Sequence, residues 1–494
     1  MTIGELFSGV RLKRPLAPSL APVPVDGLDY DSRRIAKDFL FFAFTGSRTD
    51  GRRFVQDALS RGAVAVASES EAPEDLVSRW LQVEHGRQAL ALAARNFYRK
   101  PDERLGITGI TGTNGKTTTG YLLDSILRAA GRTTALIGTI EYRLAGRVLP
   151  AVNTTPESLD LVRMFTELEQ AGGTHVTMEV SSHALALGRV YGQHFHTAVF
   201  TNFTRDHLDY HGAMDEYFAA KQLLFEGLGG PPPAFAVLNR DDQQIRQLKL
   251  DSGTEPLWYG LGQEADLRAR HIASAFSGLR FDIQYGKVRF PVESPLIGKI
   301  NVYNILAACG AALSYGVEPD TIANGIAQLR AVPGRFERID EGQPFVVVVD
   351  YAHTDDALRN VIAAARSLSP KRVITLFGCG GDRDRAKRPL MGLAAAENSD
   401  FVVLTSDNPR SEDPLAIMND ALVGIRRVDV VHVVDPDRAS AIARAIKEAR
   451  EGDIVILAGK GHEPFQVLKD KAIPFDDREV AREVLKGYGY HQPT

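Results

Sequence analysis

The chain has 494 residues, 44% of them hydrophobic, which is enough for roughly three domains with buried cores. Its 58 basic and 62 acidic residues give a net charge of −4, which argues against a general nucleic-acid binder or a membrane-surface protein. The two cysteines, Cys309 and Cys379, exclude a disulfide framework and a four-cysteine zinc site, and they fit a reducing cytosol.

Residues 1–25 lack a basic head followed by an apolar run, so we predict no secretory signal. No uninterrupted apolar stretch reaches the ~18 residues expected of a membrane span. We therefore expect a cytoplasmic protein.

The first hundred residues mix short strands and helices. Apolar runs at 39–44 and 63–67 predict strands, and the stretch 88–98 predicts a helix. The helix should end at Lys100-Pro101, because proline disfavours helical backbone in the residue before it. We place a domain boundary near residue 100.

A second pattern begins with a strand at 105–111, a glycine-rich turn and a helix over 116–130 that Gly131 closes. Further strands are predicted at 174–180, 197–201 and 235–238. Residues 253–293 alternate between apolar and polar side chains and predict an antiparallel insert, and residues 301–315 predict a helix.

A break at Val332-Pro333-Gly334-Arg335 precedes the last pattern. Five short apolar runs follow, at 345–349, 373–377, 401–405, 428–434 and 454–458. Helix-compatible stretches follow the first four runs, which is typical of a parallel sheet covered on both faces. The sequence thus predicts an α/β protein with domains at 1–100, 101–333 and 334–494, the last of them doubly wound.

The clearest chemical motif is Gly112-Thr113-Asn114-Gly115-Lys116-Thr117, between a predicted strand and a predicted helix. Backbone N–H groups and the helix dipole favour phosphate there, Lys116 adds a positive charge, and Thr117 offers a hydroxyl to Mg²⁺. The strict phosphate-loop pattern requires glycine at position 110, where the chain has Ile110. A glycine turn with a surface lysine is the alternative, but the flanking strand and helix favour a phosphate site.

Two stretches rich in acidic residues and histidine, 178–183 and 204–211, follow predicted strands. The carboxyl ends of strands face the ligand crevice of an open α/β sheet, which places Glu179 and His207 beside the phosphates. One carboxylate and one imidazole are compatible with a substrate-bound Mg²⁺. Histidines that only cap loops are common, however, and a structural zinc at His207 and His211 is a third interpretation that the residues leave open.

Five motifs occur in order along the chain and together resemble the Mur ligase family, MurE type. They are TGTNGKTTT at 111–119, EVSSH at 179–183, DHLD at 206–209, DYAH at 350–353 and GKGHE at 459–463. Asp31-Ser32-Arg33 also matches, so the resemblance spans essentially the whole chain. It implies a UDP-binding N-terminal domain, a central P-loop ATPase-like domain with a parallel sheet, and a Rossmann-like C-terminal domain.

The resemblance also implies an activity. The enzyme would use ATP to activate the D-Glu carboxylate of UDP-MurNAc-L-Ala-D-Glu as an acyl phosphate and would then attach an amino acid, in peptidoglycan precursor synthesis. Mg²⁺ is the implied cofactor, and we expect a monomer with no nucleic-acid partner. A folylpolyglutamate-synthetase-like ligase is one alternative. A nucleotide-switched binding protein is another, although the chain lacks an Asn-Lys-x-Asp guanine-reading motif.

Site residues follow from the resemblance, position by position. The implied catalytic residues are Lys116, Glu179, His207 and Lys221, and the metal ligands are Thr117, Glu179, His207 and a carbamylated Lys221. ATP contacts are implied for Gly112, Thr113, Asn114, Gly115, Lys116, Thr117, Thr118, Asn301, Arg335, Asp350 and His353. UDP-MurNAc-dipeptide contacts are implied for Tyr30, Ser32, Ser47, Arg48, Thr49, Asn153, Thr154, Thr155, Ser181 and Arg189.

The amine that is added is indicated by Asp407-Asn408-Pro409-Arg410, which resembles the motif of relatives that use meso-diaminopimelate. That amino acid has a distal carboxylate, for which the planar fork of Arg383 or Arg410 is suited. Glu463 would pair with the distal ammonium, with Gly459 close by. The alternatives are a lysine-adding enzyme and a plain Asn-Pro turn, and the motif favours diaminopimelate over both.

Overall fold

The computed structural model describes residues 1–46, 49–469 and 471–491. Ser47 and Arg48, two of the predicted substrate contacts, lie outside the described residues. The chain divides into two compact units, and each is described by itself. The first unit comprises Met1–Arg268 and Leu306–Gly325, and the second comprises Ala269–Ile305 and Ile326–Thr494.

The first unit begins with a small parallel sheet of four strands, which pair in chain order. The strands are β1 (Gly27–Asp29), β2 (Phe39–Ala43), β3 (Ala65–Ser68) and β4 (Trp80–Gln82), and the helices are α1 (Ile3–Leu6), α2 (Val55–Ser60) and α3 (Gly86–Phe97). Leu40 and Phe42 pack in one apolar cluster and Phe41 and Ala43 in another. Because both faces of β2 are buried, its sequence is continuously apolar.

A larger sheet follows in the first unit, and the last of its strands continues past Arg268, where that unit ends. Its strands are β5 (Gly106–Thr111), β6 (Thr134–Ile137), β7 (Glu141–Leu144), β8 (Arg147–Pro150), β9 (His175–Glu179), β10 (Thr197–Phe200), β11 (Phe235–Asn239), β12 (Glu255–Gly260) and β13 (Leu267–Ala275). They lie in the order β13-β12-β11-β10-β5-β9-β6-β7-β8. The neighbours of β5 on both sides are parallel, so its C-terminal end lies beside those of β9 and β10.

Helices connect and cover these strands. They are α4 (Lys116–Ala129), α5 (Ser158–Gln170), α6 (Ser182–Ala186), α7 (Leu208–His211), α8 (Met214–Glu226), α9 (Ile300–Ser314) and α10 (Pro319–Gln328). The predicted helix over 116–130 is therefore confirmed to within one residue. Gly131 ends it with a positive φ of 71°, a backbone conformation that glycine adopts without strain.

The second unit contains two antiparallel hairpins and a six-stranded sheet. Its strands are β14 (Gly278–Tyr285), β15 (Val288–Ser294), β16 (Glu337–Ile339), β17 (Val346–Asp350), β18 (Val373–Cys379), β19 (Phe401–Ser406), β20 (Val431–Asp435), β21 (Ile454–Ala458), β22 (Phe465–Leu468) and β23 (Lys471–Pro474). Its further helices are α11 (Asp355–Arg366), α12 (Lys387–Asn398), α13 (Pro414–Ile425), α14 (Arg438–Glu448) and α15 (Asp477–Gly487).

The six strands lie in the order β16-β17-β21-β18-β19-β20, and all neighbours are parallel except β16 and β17. Side chains of α11, α12 and α13 bury one face, and those of α14 and α15 bury the other. Burial on both faces explains four of the five continuous apolar runs in this part of the sequence. The run at 428–434 contains β20, an edge strand in which Val431 and Val434 are exposed. The predicted α/β class is confirmed.

The predicted antiparallel insert over residues 253–293 is only partly present. β12 pairs in parallel with β11, and β13 pairs in parallel with β12, so the first half of that prediction is wrong. β14 and β15 do form an antiparallel hairpin. Alternation of polar and apolar side chains indicates that one face of a strand is solvated. It does not indicate strand direction, which depends on the strand with which it pairs.

Candidate active site

The glycine-rich turn connects the end of β5 to the first residue of α4. Gly112 has a φ of +141°, and a Cβ at that position would lie 1.9 Å from Thr201 Oγ1, so glycine is required. Gly115 has a φ of +86° and directly precedes Lys116. Ile110 is fully buried within β5, which explains why the glycine of the strict phosphate-loop pattern is not needed there.

Two residues that follow β10 hold this loop in place. The Asn202 side chain accepts a hydrogen bond from Asn114 N and donates one to Asn114 O, both of 2.9 Å. Thr201 Oγ1 donates to the same carbonyl at 2.6 Å. Sequence reasoning missed Asn202, although its position directly after a predicted strand was an available signal.

Two lysines meet at the phosphate loop. Lys116 Nζ donates to the carbonyls of Gly112 and Thr113, each at 2.9 Å, and Lys221 Nζ also donates to Gly112 O at 2.9 Å. Burial lowers the pKa of Lys221 well below its usual value, and the nearby charge of Lys116 lowers it further, against a smaller opposing effect of Asp206. The positive charge of the loop is therefore supplied by Lys116 and by the backbone N–H groups that begin α4, and these suit a polyphosphate.

Glu179, at the end of β9, lies directly beside the loop. Its Oε1 accepts hydrogen bonds from Thr117 Oγ1 and from Thr139 N, both of 2.9 Å, and its Oε2 accepts one from Thr139 Oγ1 at 3.1 Å. The structure thus brings together Thr117 and Glu179, two of the predicted metal ligands. The supporting Thr139, which follows β6, was not predicted.

His207 and His211 have different surroundings. The His207 side chain is 44% exposed, its ring lies 4.9 Å from that of His183, and its Nε2 is 3.5 Å from Asp206 Oδ2. His211 is buried, and its Nε2 shares a 2.9 Å hydrogen bond with Ser182 Oγ. Within the described part of the chain, no group of three or more histidine, cysteine, aspartate or glutamate residues is placed to hold a metal ion. The zinc interpretation therefore gains no support.

Four predicted substrate contacts cluster next to Glu179. Thr155 Oγ1 donates to Glu179 O at 2.8 Å and accepts from Ser181 N at 3.1 Å, and Thr155 O accepts from Arg189 Nη1 at 2.9 Å. Thr154 Oγ1 lies 3.1 Å from Thr139 Oγ1, and either hydroxyl can donate. The groups predicted to hold the peptide end of the substrate thus adjoin Glu179, one of the predicted metal ligands.

The remaining predicted substrate contacts in the described chain are more dispersed. Asn153 is exposed, and its carbonyl accepts a hydrogen bond of 2.5 Å from the Tyr142 hydroxyl. Tyr30, Ser32 and Thr49 lie around the four-stranded sheet; Tyr30 donates its hydroxyl to Asp160 at 2.5 Å, and Ser32 is buried. These residues occupy the part of the first unit that the resemblance associates with UDP.

In the second unit, the predicted amine-binding residues converge. Asn408 Nδ2 donates to Glu463 Oε2 at 2.9 Å, and Arg410 Nη1 donates to Gly381 O at 2.6 Å. A Cβ at Gly380 would lie 3.0 Å from Arg410 Nη1 and 3.7 Å from Arg383 Cγ. Gly459, with a φ of +116°, lies so close to Asp407 that a Cβ would be 2.6 Å from Asp407 Oδ2.

A buried lysine that was not predicted completes this cluster. Lys460 is fully buried, and its Nζ donates to Asn408 Oδ1 at 3.3 Å, to Glu463 Oε2 at 3.3 Å and to Phe465 O at 2.5 Å. Asn408 Oδ1 also accepts from Val467 N at 2.9 Å, which orients the amide so that its Nδ2 faces Glu463. The position of Lys460 inside the GKGHE motif was the signal from which its role could have been predicted.

Three predicted ATP contacts of the second unit surround Tyr351. Arg335 lies over the Tyr351 ring at 4.7 Å, and His353 Nδ1 is 2.9 Å from Tyr351 O. The Asp350 carboxylate accepts two backbone hydrogen bonds; burial raises its pKa, and Arg335 opposes that effect. The Asn301 side chain bonds instead within its own helix region, to Ile297 O at 2.8 Å and to the Asn304 amide at 2.9 Å.

A phosphate loop with Lys116 and Glu179 beside it, on an α/β fold that also carries a cluster of a carboxylate and arginines, is typical of an ATP-dependent amide ligase. The chain belongs to the Mur ligase family. Three family models match it: the Mur ligase family catalytic domain over residues 24–98, the Mur ligase middle domain over 110–312, and the Mur ligase glutamate ligase domain over 334–461. The expectation raised by the five ordered motifs is confirmed.

Particular relatives share a single name, UDP-N-acetylmuramoyl-L-alanyl-D-glutamate–2,6-diaminopimelate ligase. The protein of that name from Solibacter usitatus (strain Ellin6076) is 76% identical over 492 residues, which cover 100% of both chains. The one from Geobacillus thermodenitrificans (strain NG80-2) is 46% identical over 93% of this chain and 94% of its own. A solved structure of that name is 32% identical, with a TM-score of 0.72 over 99% of both chains.

Among the described residues, none of the helices combines the length and apolar character needed to cross a membrane.

Proposed function

We propose that this chain uses ATP to join meso-diaminopimelate to the D-Glu carboxylate of UDP-MurNAc-L-Ala-D-Glu, with release of ADP and phosphate. The observation that carries the proposal is the cluster in which Asn408 and Glu463 are bonded to each other near Arg410 and Arg383. The carboxylate and the two guanidinium groups are complementary to an amino-acid head that bears an ammonium and a carboxylate. The names of the relatives support the same substrate.

The first unit would bind and activate the carboxylate. Lys116 and the N–H groups that begin α4 would hold the ATP phosphates. A carboxylate oxygen attacks the γ-phosphorus, an O–P bond forms, and the bond to the bridging oxygen breaks as ADP leaves. The amine nitrogen then attacks the acyl carbon, a C–N bond forms, the amine loses a proton, and phosphate departs. Positive charge at the loop stabilises the charge that develops in both steps.

Mg²⁺ is proposed as the cofactor, held by Thr117, Glu179, His207 and a carbamylated Lys221. The donors fit the metal because Thr117 Oγ1 and the Glu179 carboxylate are adjacent oxygen ligands, which Mg²⁺ prefers. When bound, the ion would neutralise phosphate charge. The described residues alone do not assemble three acidic or histidine ligands, which is consistent with a site that also uses a carbamate and the nucleotide.

We also propose the boundaries at residues 100 and 334 as those of the three functional domains, and a monomeric cytoplasmic enzyme. A cytoplasmic location is supported by the substrates, because ATP and a nucleotide-linked precursor are both cytoplasmic compounds. The first two domains would bind the UDP-linked substrate and ATP, and the third would select the amine.

Phosphate release with UDP-MurNAc-L-Ala-D-Glu and ATP tests the function. We expect turnover with meso-diaminopimelate and a kcat/KM for L-lysine that is lower by about 100-fold or more, because lysine leaves the arginines without a carboxylate. Equal or better use of L-lysine would contradict the proposed specificity. The absence of release with either amine would contradict the function itself.

The Arg410→Ala variant tests the specificity site within the same assay. We expect the KM for meso-diaminopimelate to rise by about 10–100-fold, because the distal carboxylate loses one charged hydrogen-bonding partner. The KM for ATP should be unchanged. Arg385→Ala, a change of an exposed arginine that pairs with Glu412, is the matched control. An unchanged diaminopimelate KM would remove Arg410 from the site.

A further inference from the structure

Arg189, one of the four predicted substrate contacts near Glu179, shares one carboxylate with a further arginine, Arg87. Glu157 Oε1 lies 3.2 Å from Arg189 Nε and 3.4 Å from Arg87 Nε. All three side chains are largely buried: Arg189 is 18% exposed, Arg87 13% and Glu157 11%. Within the described residues, neither arginine has a second carboxylate within 4.0 Å, so this cluster carries one uncompensated positive charge.

The hydrogen bonding of the cluster is also incomplete. Arg87 Nε and Glu157 Oε2 are buried and have no hydrogen-bond partner among the described residues. Buried charged groups are normally paired and fully bonded, because leaving them unsatisfied is unfavourable by kilocalories per mole. The excess positive charge and the unused Nε–H donor of Arg87 are suited to receive an anion, whereas Glu157 Oε2 is an acceptor and requires a hydrogen-bond donor.

The position of the cluster identifies which ligand could supply that anion. On one side, Arg189 donates to the carbonyl of Thr155, whose hydroxyl in turn donates to Glu179 O. On the other side, the Arg87 guanidinium lies over the Phe44 ring at 4.9 Å, and Phe44 directly follows β2, five residues before Thr49. Arg87 therefore lies between the proposed peptide-binding and UDP-binding parts of the first unit.

We propose that Arg87 and Arg189 together bind the D-Glu carboxylate that does not react, and that Glu157 positions both guanidinium groups. This inference rests on the proposed function, in which the D-Glu residue presents two carboxylates and only one becomes an acyl phosphate. The second carboxylate stays ionised close to the metal ligands. Two planar guanidinium forks can hold it and so direct the other carboxylate towards the phosphate loop.

Isothermal titration calorimetry with three ligands tests the proposal. The ligands are UDP-MurNAc-L-Ala-D-Glu, its analogue in which the non-reacting carboxylate is a primary amide, and UDP. We expect Arg87→Met to weaken binding of the acid by about 10–100-fold and to change binding of the amide and of UDP by less than about threefold. Arg87→Lys, which keeps the charge, should lose less than Arg87→Met. Arg104→Met, at an exposed arginine paired with Glu169, is the matched control.

A positioning role for Glu157 has its own readout. Glu157→Gln should raise the KM for the acid with kcat nearly unchanged, and adding Arg87→Met to it should weaken binding by less than the product of the two single effects. Independent, multiplicative effects would show that Glu157 does not act through the arginines.

Three other outcomes overturn the inference. If Arg87→Met weakens binding of the acid and of the amide equally, Arg87 has a merely structural role. If it weakens binding of UDP equally as well, the anion that Arg87 binds is the diphosphate. Unchanged acid binding would remove Arg87 from the site altogether. Wild-type protein that binds the acid but releases no phosphate with any amine would contradict the proposed function while leaving the binding inference standing.

Discussion

The chemistry of Lys221 is set by its surroundings. It lies within α8 and is only 1% exposed, with its Nζ bonded to Gly112 O and 4.5 Å from the Tyr217 ring. Burial and the neighbouring charge of Lys116 depress its pKa, so the uncharged amine is accessible near neutral pH. Only the uncharged amine reacts with CO₂: its nitrogen attacks the carbon, an N–C bond forms, and a proton is lost to give a carbamate.

We expect ¹³C-labelled CO₂ to give one slowly exchanging carbamate signal by NMR in the wild-type enzyme and none in Lys221→Gln. The kcat of Lys221→Gln should fall by about 100-fold or more, because a ligand of the proposed metal is lost. Lys249→Gln, at an exposed lysine, should keep both the signal and the activity. A full carbamate signal in Lys221→Gln would place the modification elsewhere.

At the scale of elements, α12 and α13 pack through two glycines. A Cβ at Gly392 would lie 2.1 Å from Ala421 O, and one at Gly424 would lie 1.8 Å from Pro389 O. Alanine normally favours a helix over glycine by about 1 kcal/mol. The close approach of the two backbones is therefore the reason for glycine at these helical positions, and it fixes the helices that cover the sheet below the amine-binding cluster.

Gly392→Ala should destabilise the protein by about 1–3 kcal/mol, since the added methyl group forces α12 and α13 apart. Urea denaturation followed by circular dichroism measures this change. Gly487→Ala, at the end of α15 where an added Cβ meets nothing within 4 Å, should instead be neutral or slightly stabilising. A stabilised Gly392→Ala would show that the helices can separate without loss.

At the scale of the whole molecule, buried neutral histidines limit stability in acid. Burial, followed by the charges of Arg132 and His196, lowers the pKa of His175 to about 4. Burial and nearby arginines likewise lower the pKa of His462 to about 4. Between pH 6.5 and 4 the unfolded chain binds protons that the folded chain does not, so the free energy of unfolding falls as the pH falls through this range.

We expect the loss of stability between pH 7.5 and pH 5 to be smaller by about 1 kcal/mol in His175→Gln, after allowance for residual hydration of the ring. Urea titrations at the two pH values measure it. His85→Gln, at a histidine that is 47% exposed, controls for the removal of an imidazole and should show the wild-type difference. An identical difference in His175→Gln would mean that this histidine does not contribute to acid sensitivity.

Much of the fold was available from the sequence because the pattern was local. The five apolar runs after residue 334 correspond to five parallel strands, and the glycine-rich turn lies at the predicted strand end. Strand direction in β12 and β13 was not available, because it depends on partners far along the chain. The same holds for Thr139, Asn202 and Lys460, whose polar side chains gain their roles only from neighbours that folding brings together.

The sequence by itself determined the family, the α/β class and the residues proposed for phosphate and amine, because ordered motifs and apolar runs are properties of the chain. The tertiary structure alone decided which of those groups touch. In the folded protein Thr117 is hydrogen-bonded to Glu179 and Asn408 to Glu463, and Lys221 is buried against the loop. The tertiary structure also placed Arg87 and Arg189 on one carboxylate, since pairing and desolvation depend on distances that sequence spacing does not specify.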